Sequence, residues 1–173
     1  EEVPIGTILA VNGKGGTGKT TVSALLIKHL IDMKKGSVLA IDADPNSNLP
    51  DILDIKDPET IVGIVEDVSK NMDKIPSGIT KDMFIEMRVQ EALVEGKDFD
   101  LLIMGRPEGP GCYCYVNNLL RGLMGKLIVD YDYVVIDNEA GLEHLSRRTS
   151  RRADALLVIS DATKVGLTAA RRI

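Results

Sequence analysis

This chain has no tryptophan, and its 173 residues include only four tyrosines and two phenylalanines. It also lacks any apolar run near the ~20 residues a membrane-spanning helix needs, and no charged-then-apolar leader opens it. There is no excess of positive charge: the formal net charge is −5, which argues against a nucleic-acid partner, since that needs a basic face. Two cysteines cannot build a disulfide scaffold, so a cytoplasmic location is the expectation. Internal repeats and low-complexity linkers are missing too. The first residues, EEVPIG, hold no methionine, which points to a processed or trimmed chain.

What is present suits one α/β domain over residues 1–173. Hydrophobic residues make up 44% and charged residues 27%, the balance of a chain that buries a full core and keeps a solvated surface. Short apolar runs without polar alternation recur at Ile8–Val11, Val38–Ile41, Asp100–Met104, Tyr133–Ile136 and Ala155–Ile159, and read as buried strands. Helical periodicity joins them. Leu25, Leu26, His29 and Leu30 recur on one stripe that ends near Met33, where Lys34, Lys35 and Gly36 stop the helix. On that stripe His29 reads as a packed or half-buried structural histidine.

Residues 50–97 read as a helical insertion, with Ile61, Ile64, Val65 and Val68 on one face and Ile85, Val89, Ala92 and Leu93 on another. Met83 and Met87 in it read as core or interface filler. Further helices are expected at about 117–129 and 142–152. Strands alternating with helices predict a doubly wound, mostly parallel sheet. The final GLTAARRI reads as the interior of a helix, so the expectation is a domain truncated at its C-terminus.

GKGGTGKTT, residues 13–21, falls between a predicted strand and a predicted helix, the context of a phosphate loop. Gly13, Gly15, Gly16 and Gly18 let backbone N–H groups curl around phosphate oxygens without a Cβ in the way, and Thr17 and Thr21 complete the loop. The following helix adds its positive end. Lys19 is placed for the β and γ phosphates, and the Thr20 hydroxyl for Mg²⁺.

A second lysine, Lys14, would reach its own loop's phosphates poorly. KGGxGKT resembles the deviant Walker A motif of the MinD, ParA and nitrogenase-iron-protein class of dimeric P-loop ATPases. The resemblance implies ATP hydrolysed to ADP in a homodimer, with Lys14 crossing to the partner's phosphates. It also implies that Asp44, in DADPN (residues 42–46), orients the attacking water. Asp42 is a candidate for the Mg²⁺ shell, with a loop cap as the alternative. VVIDNEAG, residues 134–141, is similar to the Walker B strand and second switch. There Asp137 would hold Mg²⁺ through water and the Gly141 N–H would sense the γ-phosphate.

The two cysteines lie together, in GPGCYCYVNN (residues 109–118). Three readings stand for Cys112 and Cys114: an interfacial metal site, inert packed thiols, or a strained disulfide. The iron protein's second cluster cysteine would fall at Ala140, so a bridging cluster of that design lacks half its ligands. CxC together with DNEAGLEHLSRRT (residues 137–149) resembles the carbon-monoxide-dehydrogenase maturation ATPases, the nickel-handling relatives of MinD. That resemblance implies Ni²⁺, or Zn²⁺ in its place, held between two CxC pairs, and carbon monoxide dehydrogenase as client. In an extended segment residues i and i+2 point the same way, about 6.6 Å apart, so both thiolates can meet one ion. A two-fold axis then doubles two ligands to four.

The alternatives are an electron-transfer ATPase with a bridging iron–sulfur cluster, and a MinD-like positioning switch. His144 is a candidate relay between nucleotide and interface. Arg147, Arg148, Arg151 and Arg152 form a basic patch, either a solvated face or a contact for an acidic partner enzyme.

Overall fold

The computed structural model describes residues 6–106, 122, 125, 127–138 and 153–173. Along the chain these form β1 (Thr7–Gly13), α1 (Lys19–Met33), β2 (Val38–Ala43), α2 (Leu49–Ile52), α3 (Ile61–Lys70), α4 (Lys81–Glu91), β3 (Val94–Glu95), β4 (Asp100–Ile103), β5 (Tyr133–Asn138), β6 (Ala155–Ile159) and α5 (Lys164–Ala170). Short 3₁₀ turns lie at Met72–Lys74 and Ile128–Asp130.

The strands join in one six-stranded sheet, in the order β3-β4-β2-β5-β1-β6. Every pairing is parallel except that of the two-residue edge strand β3 against β4. All five apolar runs are strands. Val94 and Glu95 are the exception to the helical reading of residues 50–97: pairing with Leu101 and Asp100 gives this short segment the backbone partners an isolated helical turn would lack.

Alternation along the strands divides the interior into two layers. Ile8, Leu39, Ile41, Leu102, Val134 and Ile136 face α3 and α4, where they pack on Ile61, Ile64, Val65, Val68, Ile85 and Val89. Val38, Ala40, Leu101, Ile103 and Val135 face α1 and pack on Ala24, Ile27 and Leu30. The interior stripe of α1 is therefore Ser23, Ala24, Ile27 and Leu30. Leu25 is 62% exposed and His29 is exposed, so His29 is not the packed histidine its neighbours suggested. The small Ser23 and Ala24 let the helix approach the sheet closely, and that turns the stripe by about one residue from the one leucine spacing suggests.

Met83 and Met87 are 55% and 45% exposed, on the outer side of α4, and so do not fill the core of this chain. Thr60 and Thr80 cap α3 and α4 by accepting the N–H groups of Gly63 and Met83. Arg88 on α4 reaches Glu59 at 2.6 Å and Asp67 on α3 at 3.7 Å, which ties the two helices across their surface. Most of the expected 117–129 helix and all of the 142–152 helix lie outside the described residues.

Candidate functional site

A parallel sheet points all its strand carboxyl ends at one edge, and there the sequence of β1, β2 and β5 changes from apolar to polar. Each strand runs on buried into its last residues: Asn12 and Gly13 in β1, Asp42 and Ala43 in β2, Asp137 and Asn138 in β5. The register sets Val11 beside Asp137 and Asp42 beside Asp137, so two carboxylates sit on neighbouring strands, next to the turn that leaves β1.

That turn is residues 14–18, and it leads straight into α1 at Lys19. Gly16 and Gly18 take φ values of 76° and 91°, where a Cβ is strained, and a Cβ built at either would meet nothing within 4 Å. The positive φ, not crowding, is what asks for glycine there. Gly13 differs: a Cβ there would come within 2.2 Å of the Ile159 carbonyl oxygen, so β6 closes directly on the start of the loop. Lys14, Gly15, Gly16 and Gly18 are exposed, as is Thr21, while Thr17 and Thr20 are half-buried. The Lys14 carbonyl accepts from the Thr17 hydroxyl at 2.7 Å and from Lys19 Nζ at 3.5 Å, leaving the Lys14 side chain outside and the Lys19 side chain 6% exposed within.

Lys19 faces the β5 carboxylate. Asp137 Oδ1 accepts the Ser23 hydroxyl at 3.0 Å, and Oδ2, fully buried, has no hydrogen-bond partner among the described residues. Burial pushes the Asp137 carboxyl up from its ordinary range, while the nearby Thr20 hydroxyl, the Ser23 hydrogen bond and the charge of Lys19 pull it back. A buried carboxylate oxygen with a free lone pair, next to a threonine hydroxyl at a helix N-terminus, is a donor set of hard oxygens that fits Mg²⁺.

Asp42 is engaged by its own loop. Its two oxygens accept the Asp44 N–H and the Leu49 N–H, each at 3.0 Å. Burial raises it to about 6, against those two hydrogen bonds. Both of its oxygens thus bind the loop in the way of the loop cap set out as the alternative role. Asp44, also buried, accepts both the backbone N–H and the side-chain amide of Asn46 on Oδ1, a closed turn that points it back to the sheet edge.

Several groups here have no role assigned to them by the motifs. Ser23 is legible only as a polar residue on the inner side of α1, four residues after Lys19. Asn12 and Asn138 each follow an apolar strand and meet each other. Asp161, in the turn after β6, is held below the usual carboxylate range by hydrogen bonds from Thr163, with the charge of Lys14 adding to the effect. Cys112, Cys114, Ala140, Gly141, His144, Arg147, Arg148, Arg151 and Arg152 lie outside the described residues. Among the described residues no group of three or more histidines, cysteines and carboxylates is placed to hold a metal, and no helix is long and apolar enough to cross a membrane.

Comparison with known proteins agrees with this geometry. The AAA domain family matches residues 5–173. An uncharacterized ATP-binding protein of Methanocaldococcus jannaschii is 53% identical over 168 residues, 96% of this chain and 66% of that protein. The carbon monoxide dehydrogenase accessory protein CooC of Rhodospirillum rubrum is 30% identical over 178 residues, with 95% and 66% covered. Among solved structures, the cell division ATPase MinD of Pyrococcus furiosus superposes with a TM-score of 0.67 at 25% identity, over 96% of this chain and 64% of that one. The chain thus spans about two thirds of the length of these curated relatives.

Proposed function

Because this chain belongs to the AAA domain family of P-loop ATPases, we propose that it is the core of an ATP-hydrolysing homodimer that carries nickel and delivers it to carbon monoxide dehydrogenase. The observation that carries the ATPase part is the buried Oδ2 of Asp137, which has no hydrogen-bond partner among the described residues and is set beside buried Lys19 at the start of α1. A carboxylate left this way is costly unless a cation comes to it.

In this reading the N–H groups of residues 13–18 and the Lys19 ammonium hold the β and γ phosphates of ATP. Thr20 and Asp137, with Asp42 as a further candidate, would hold Mg²⁺, which neutralises charge on the phosphates when bound. Asp44 orients a water for in-line attack on the γ-phosphorus. The bond from that phosphorus to the ADP oxygen breaks as the new one forms, and the products are ADP and inorganic phosphate. Lys14 is exposed, which suits a role on the partner subunit's phosphates. Gly141, in the segment that follows, is assigned the γ-phosphate contact on resemblance to the family.

The nickel part rests on Cys112 and Cys114 and on the likeness to the accessory protein of Rhodospirillum rubrum. Two CxC pairs related by a two-fold axis supply four thiolates to one ion, and Zn²⁺ competes for the same ligands. The test is metal content alongside gel filtration, with and without ATP. One ion per two chains is expected, falling to near zero in Cys112→Ser or Cys114→Ser while ATP still binds. One ion per chain, or full loading of the Cys114→Ser protein, would sink the shared site.

A further inference from the structure

At the carboxyl edge of the sheet, on the face opposite α1, two asparagines meet. Asn138 Nδ2 donates to Asn12 Oδ1 at 2.6 Å and lies 3.4 Å from the Val11 carbonyl. The two residues are 4% and 1% exposed, and they stand at the end of an apolar layer formed by Ile8, Val134 and Ile136. Only the donor half of the Asn138 amide is used: its Oδ1 is buried and has no partner among the described residues.

A buried amide with an idle oxygen is a poor way to fill a core position. Two apolar side chains of similar volume at positions 12 and 138 would fill the space without stranding any acceptor, so stability alone does not account for the pair. What the amide does is mechanical. Asn12 is the last residue before Gly13 and Lys14, and β6 already closes on Gly13 from one side through the Ile159 carbonyl. The Asn138–Asn12 bond closes on the same point from the β5 side. Since Asn138 follows Asp137 directly, the bond joins the strand that carries the buried carboxylate to the start of the phosphate loop.

We infer that Asn138 is a positioning residue which, through Asn12, fixes the point where the phosphate loop leaves β1 and so sets the reach of Lys14. The inference rests on the ATPase reading. It assigns the pair to the first half of the loop, Gly13 and Lys14. The second half, Gly18 and Lys19, belongs to the start of α1 and meets the first half at the Lys14 carbonyl, which accepts from Thr17 and Lys19.

The two halves give different kinetics. Loss of the pair loosens Lys14, while Lys19 keeps its anchorage at the start of α1. In steady-state hydrolysis with Mg²⁺ and ATP, Asn138→Leu should therefore lower kcat about tenfold with KM within about threefold of wild type. Its melting temperature without nucleotide should change by no more than a few degrees, the donor lost to Asn12 Oδ1 being offset by the idle Asn138 oxygen removed. Asn12→Ala should reproduce the kcat loss, and the double variant should be no worse than either single one, because all three lack the same bond.

Unchanged kcat in folded Asn138→Leu overturns the inference. So does a lower melting temperature with KM and kcat damaged together, which marks a plain packing role. If Asn138→Leu does not fold, Asn12→Ala decides by the same criteria. Wild type and Lys19→Ala run alongside: if wild type does not hydrolyse ATP, or Lys19→Ala still does, the ATPase reading fails and takes this inference with it.

Discussion

The two faces of the central sheet end in different chemistry at the same edge. On the α1 face the last residues are carboxylates, Asp42 and Asp137, with Lys19, Thr20 and Ser23 above them. On the α3 face β1 and β5 instead bring the neutral amides Asn12 and Asn138, above an aliphatic layer. One strand, β5, supplies both, because adjacent residues point to opposite faces. The contrast teaches where charge is tolerable: α1 begins at Lys19 and sets a buried cation beside its carboxylates, whereas the start of α3 on the other face spends its Val62 N–H on the Met104 carbonyl.

Exchanging the charge on the α1 face should break this division most strongly. Asp137→Asn keeps the shape and removes the charge that burial disfavours. Hydrolysis of Mg·ATP is expected to fall by about a hundredfold or more, while the nucleotide-free melting temperature holds or rises. Colorimetric phosphate release and a thermal melt on the same sample check both halves. A variant that loses activity and stability together would mean that Asp137 is a structural ligand for Ser23 and Lys19.

The aliphatic layer sharpens the same contrast through stability alone. Ile64 is fully buried on α3, so Ile64→Ala should destabilise by about 2–5 kcal/mol in denaturant unfolding. Leu25→Ala, at a site 62% exposed on α1, should change stability by less than about 0.5 kcal/mol. Comparable costs at the two sites would contradict the placement of the α1 stripe.

A smaller effect than the Ile64 loss is expected from the pH dependence of Asp42. Its folded value, about 6, stands above the ordinary 3.8, so the folded chain holds this proton more tightly than the unfolded chain does. A raised carboxyl of this kind adds stability at low pH and loses that contribution as pH climbs through about 6. Between pH 7 and pH 5 the wild-type chain should gain about 1.3 kcal/mol relative to Asp42→Asn. A flat difference across that window would show that Asp42 is ionised throughout and that its end of the sheet is wetter than its burial implies.

Strands were legible because a parallel strand shows as a run of apolar residues closed by a polar residue or glycine, and the shorter run Leu127–Val129 before Asp130 gives only a 3₁₀ turn. The phosphate loop was legible because positive φ at Gly16 and Gly18 leaves few residue choices. Helix faces were less so. Leucine spacing pointed to Leu25 and His29, but contact with the sheet selected Ser23, Ala24 and Ile27, since close approach rewards small side chains that hydropathy undervalues. The pairing of β3 was hidden as well: two residues carry too little pattern to separate a strand end from a helix tail.

By itself the sequence determined the parallel α/β class and the loop between β1 and α1, because these depend on local periodicity and on backbone conformations open only to glycine. Tertiary structure alone decided the meeting of residues distant along the chain: Ser23 with Asp137, Arg88 with Glu59, and Asn12 with Asn138. It also decided which polar residues lie dry. Sheet register and helix docking set those contacts, and a residue's burial is a property of its neighbours that no window of local sequence contains.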